Sequence, residues 1–172
     1  MPQFDLHNAN VPPIPTALAH RPVHHGLVVP WTTPRTASGR FLFGTVSADH
    51  VRKAIRNRLC GVCGRTLTQP LVLLLRESDL PLRASTEPAL HPVCAAYTSS
   101  ACPMIAGRLD HYRSSPRTLD PGMLTGTDST ARLGATAEKW FAVWLSRYDV
   151  VTLYGNLAAS YLLTSPRRIR PV

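Results

Sequence analysis

Cys60-Gly61-Val62-Cys63-Gly64 and Leu90-His91-Pro92-Val93-Cys94 each place two metal-type ligands at i and i+3. Two such pairs are what a tetrahedral zinc site requires, and the glycine after the second cysteine relieves the tight turn that aims both thiols at one point. The first pair is fixed. The second must be drawn from His91, Cys94 and Cys102. If residues 92–101 are helical, Cys94 and Cys102 stand eight residues apart, about 12 Å along the axis at about 1.5 Å per residue. Two ligands that each sit about 2.0–2.3 Å from one zinc cannot be that far apart. The expected set is therefore Cys60, Cys63, His91 and Cys94. A four-cysteine set, with Cys102 in place of His91, needs the helix to break early. Four protein ligands close the coordination shell, so the expected Zn2+ is structural. The zinc-deaminase order, His-x-Glu before Pro-Cys-x-x-Cys, is missing. An HNH-like nuclease would want a histidine between the two pairs, and residues 65–89 contain none. No nucleophile elbow or glycine-rich phosphate loop is present, so the balance leans away from an enzyme.

The elements that must hold these ligands are legible around them. Ser47 is a natural N-cap, Asp49 lies in the first turn, and Val46 and Val51 can form a hydrophobic staple. Val51, Ala54, Ile55 and Leu59 make one apolar face, which predicts a helix over 48–58 leading into Cys60. Leu71 to Leu75 is a buried-strand candidate, 77–81 a turn, and 82–85 a weaker return strand. Pro92 suits the first turn of a second helix capped by His91 and stopped by Pro103. Knuckle, β-hairpin and a helix carrying two ligands make a treble-clef-like plan. The fold class expected is α+β: a small single domain over 39–172, preceded by an irregular Pro-rich arm over 1–38. Within the arm, Gly26 to Trp31 is apolar enough to pack on a core. Ser, Pro, Gly and Thr mark a loop over 112–136. The block 138–163 fits helix or strand, with aromatic and β-branched residues tipping 139–153 to strand.

The chain has 172 residues and 44% hydrophobic composition, enough for one core. Its net charge is +9, and all its basic residues except Lys53 and Lys139 are arginines. Arginine suits phosphate through its planar fork, so nucleic acid is one candidate partner. The residues to carry it are Arg52, Lys53, Arg56 and Arg58 in the first helix, with Arg167, Arg168 and Arg170 in the tail. A solvated helix face explains the first group equally well. No window is apolar enough for a transmembrane helix, and Met1 to Asp5 lacks the basic and apolar regions of a secretory signal. The cytoplasm is the expected compartment, where cysteines serve as metal ligands or core thiols before disulfides.

Arg58 to Leu67, Leu90 to Tyr97 and Ala101-Cys102-Pro103 together resemble a group of small uncharacterised proteins of actinobacterial genomes and phage-like elements. The similarity takes in Gly26 to Trp31 as well. It implies a cytoplasmic, mobile-element-linked zinc-binding protein; positions 91, 94 and 102 all occur in the pattern, so it leaves the ligand set open. The expected role is non-enzymatic: nucleic-acid binding through the basic helix and tail, or a protein-interaction module using Trp31, Trp140, Trp144 and Tyr148.

Overall fold

The apolar run at Leu71 becomes strand β3 (Leu71–Arg76), every residue of which is buried. That continuous burial is what a strand covered on both faces needs, in place of polar–apolar alternation. The computed structural model describes residues 11–125 and 131–172. The first ten residues of the expected arm, with the leader reading of the N-terminus, and 126–130 of the expected loop lie outside them.

In chain order the elements are a 3-10 turn (Thr16–Leu18), β1 (Val23–His24), β2 (Leu27–Val28), α1 (Ala48–Asn57), β3, a second 3-10 stretch (Glu77–Leu82), β4 (Ala84–Ser85), α2 (Pro92–Ala101), β5 (Trp140–Leu145), β6 (Asp149–Leu153), β7 (Asn156–Ser160) and β8 (Arg168–Pro171). This is a small α+β domain. Its central sheet is antiparallel in the order β3-β5-β8, a second has the order β4-β7-β6, and β1 and β2 form a short hairpin.

Strand parity divides the core. Val72, Leu74 and Trp140 turn to one side of the central sheet, joining Cys60, Cys63, Cys94, Tyr97, Leu18 and Val28. Leu71, Leu73, Leu75, Val143 and Leu145 turn to the other, joining Ile55, Tyr148, Ala159 and Tyr161. Successive side chains of a strand point to opposite faces, so one sheet serves two cores. Helix α2, which carries Cys94, and the N-terminal segment cover the first face. Helix α1 and the second sheet cover the other.

Several elements differ in detail from expectation. The return strand over 82–85 forms only as Ala84–Ser85, and it pairs with β7 and not with β3. The antiparallel neighbour of β3 on that side is the single residue Leu90, whose N–H and C=O both bond Val72. Local sequence favoured a hairpin, but β3 gains a six-residue ladder from β5. The block 138–163 is strand throughout its regular parts, as the aromatic and β-branched content indicates. The basic tail is β8, an edge strand whose register sets Arg168 opposite Trp144 and Arg170 opposite Ala142. Arginine and a terminal proline are devices that blunt an open sheet edge.

Candidate metal centre

Helix α1 ends at Arg58, a left-handed C-cap with φ 53° whose N–H bonds the Ala54 carbonyl. That reversal delivers Cys60 into the turn. The Cys60 N–H donates to Arg65 O at 2.8 Å, and Gly64 N–H donates to Cys60 O at 2.9 Å, which closes the knuckle. Gly64 takes φ +74°, the left-handed conformation that favours glycine. His91 is the N-cap of α2 and Pro92 its first residue, so Cys94 lies in the first turn.

These four residues converge. The sulfurs of Cys60, Cys63 and Cys94 and a ring nitrogen of His91 all lie within 4.8 Å of one another. Ligands around one tetrahedral ion are separated by about 3.5–3.8 Å, given bonds of about 2.0–2.3 Å, so the group could hold a metal ion with little adjustment. The imidazole is oriented for it. His91 Nδ1 faces Cys63 Sγ at 3.3 Å, while Nε2 donates to the Thr66 carbonyl at 3.0 Å. The second bond fixes the tautomer that leaves Nδ1 free to ligate, a support that metal-binding histidines regularly have.

The surroundings of Cys60 and Cys63 favour their neutral thiols. The Cys63 thiol lies well above its ordinary range through its hydrogen bond with Cys60 and through burial. Cys60 is lowered by its bond with Cys63, but its bond with Cys94 and its burial together raise it more. Packed sulfurs of this kind need a cation before several can ionise together, and binding one would release their protons.

Cys102 is not in the group. It caps the far end of α2, with its N–H on Thr98 O at 2.9 Å, and burial raises its thiol. The helix runs unbroken over Pro92–Ala101, so the spacing argument against a Cys94–Cys102 pair applies.

The other nominated residues are scattered. Arg52, Lys53 and Arg56 are exposed on α1, with Arg52 paired to Asp49 at 2.8 Å. Arg58 is off the helix, stacked on Tyr148 at 5.3 Å and donating to its carbonyl. Arg168 stacks on Trp144 at 4.5 Å. By register Arg168 and Arg170 share the metal-side face of the sheet, whereas α1 packs Ile55 on the opposite one. Trp140 and Tyr148, nominated as partner contacts, are buried core.

Two participants were not assigned to the knuckle from the sequence, although Gly26 to Trp31 was expected to pack on a core. His20 Nε2 donates to the Cys63 carbonyl at 3.0 Å across 43 residues. Trp31 N–H donates to Val62 O at 2.9 Å and its ring covers Gly64. Both bind the N-terminal segment to the knuckle, and nothing local marks contacts so distant in sequence. Fold and site thus define a small α+β protein with a Cys3His group at the junction of arm, sheet and helix. Comparison with family models, with curated proteins and with solved structures gives no match. Among the described residues no helix is long and apolar enough to cross a membrane.

Proposed function

We propose that Cys60, Cys63, His91 and Cys94 hold one structural zinc ion in a non-enzymatic protein that binds nucleic acid. The carrying observation is the His91 imidazole, with one nitrogen turned to the thiols and the other bonded to Thr66 O. Three thiolates and an imidazole in a tetrahedral array suit zinc over harder cations. Such a shell has no open position for water or substrate, which supports a staple and not a catalyst. Knuckle, antiparallel contact at Leu90 and helix first turn follow the order of a treble clef.

The ligand set is tested by metal content and thermal denaturation of two variants. His91→Ala is expected to lose zinc and unfold, and Cys102→Ala to keep it. The reverse result would overturn the assignment. The nucleic-acid part rests on the net charge and on the exposed Arg52, Lys53 and Arg56 of α1. Contacts of this type position on phosphates without reading bases, so binding should fall steeply with salt. Absent or salt-insensitive binding to DNA and RNA would sink it.

A further inference from the structure

Three arginines that, among the described residues, no ion pair engages come together where the 112–125 segment crosses the start of the domain. Arg117 packs beside Gly44, where an added Cβ would lie 3.5 Å from Nη2. Three residues on, Asp120 accepts the Ala37 N–H at 2.6 Å, so the segment runs along residues 37–44. Arg40 and Arg113 lie close enough for their charges to lower the Arg117 pKa, after burial, which is the larger cause. The Arg117 Nε is buried with no hydrogen-bond partner. Among the described residues, ion pairs engage Arg52, Arg76 and Arg132, and none engages Arg40, Arg113 or Arg117. Asp120, the acid of this segment, is turned to the Ala37 N–H.

Like charges held together without a counter-charge repel, and a buried N–H without an acceptor loses its hydration for nothing. Such a group calls for a missing acceptor. We propose that Arg40, Arg113 and Arg117 form a binding site for a phosphate group. Planar guanidinium forks match phosphate oxygens, and an anion there would give the Nε–H an acceptor while offsetting the three charges. The phosphate can come from a free phosphate compound or from a nucleic-acid backbone. Its three arginines are neither the exposed cations of α1 nor part of the metal group, so the site stands or falls apart from both.

The test uses the full chain with its metal. Thermal denaturation is followed as inorganic phosphate replaces chloride at fixed ionic strength. Wild type should gain melting temperature with phosphate, and Arg117→Met should lose that gain. In chloride alone Arg117→Met should melt no lower than wild type, because it removes a half-buried, uncompensated cation. A second variant, Arg40→Gln with Arg113→Gln, alters exposed side chains only and should also lose the gain. A labelled single strand of about twelve nucleotides identifies the source. If the backbone is the ligand, Arg117→Met weakens its binding about tenfold, the loss expected for one charge-assisted contact. If the strand is indifferent to Arg117→Met while the phosphate response is lost, the ligand is a free phosphate compound. No phosphate-specific gain in wild type, or an undiminished gain in either variant, overturns the proposal.

Discussion

A Cβ built on Gly64 would lie 2.6 Å from Trp31 Cδ1, at a backbone angle of φ +74°. Both the left-handed conformation and the indole therefore demand glycine. Gly64→Ala is expected to destabilise by about 2 kcal/mol or more, combining left-handed strain with displacement of the ring. Denaturant unfolding with metal bound checks it. Tyr148 sets a different test. Burial pushes its phenol up to about 12, against a smaller opposing effect of the Arg58 charge. Its hydroxyl donates to Ile55 O at 2.8 Å. The fold therefore holds the neutral form, whose contribution is complete below about pH 10 and is lost as pH rises through the folded value. Wild type should lose stability between about pH 10 and about pH 12. Tyr148→Phe should show a shallower loss, with the residue of the effect from Tyr161 and Cys102, which burial also raises.

Helix α1 joins two roles, because Ala54 and Ile55 anchor it while Arg52, Lys53 and Arg56 face solvent. Substituting the exposed cations should leave the packed face untouched. If α1 contacts phosphates, Arg52→Gln with Arg56→Gln reduces the slope of log affinity against log salt by about 2, and melting temperature stays near wild type. An unchanged slope returns these side chains to a solvated helix face. At α2, the two ends of one helix separate the roles of two cysteines. Cys94 in the first turn belongs to the metal group, whereas Cys102 beyond the last turn belongs to the helix end.

The metal group lies where three parts of the molecule meet. Leu18 and Val28 from the N-terminal segment share a core with Cys60, Cys63 and Cys94, and with Val72 and Leu74 of β3. The Val28 N–H donates to the Tyr97 hydroxyl of α2 at 2.9 Å, closing the same junction. Metal removal should therefore loosen the segment together with the knuckle. Chelation is expected to make residues 11–38 the first to be cut in limited proteolysis, with a change in Trp31 fluorescence. Restored metal should restore protection. A segment equally resistant with and without metal would show that its packing does not depend on the knuckle.

Local rules were sufficient to pick out the Cys3His group that the fold brings together and the helices that flank it. Two i, i+3 pairs, a Ser47 cap, a Pro92 start and the rise of a helix make Cys60, Cys63, His91 and Cys94 a geometric consequence of spacing. The α+β class followed in the same way from apolar runs and their flanking breakers. Which strands pair was not legible, because register is set by burial across the whole core and not by neighbours in sequence. So β3 takes β5 from about seventy residues away as its ladder partner, Ala84–Ser85 leaves for another sheet, and the basic tail becomes β8. The same holds for His20 and Trp31 at the knuckle, and for the segment of Arg117 beside residues 37–44. Spacing along the chain brings ligands to one helical turn; only the folded chain can bring together groups separated by dozens of residues.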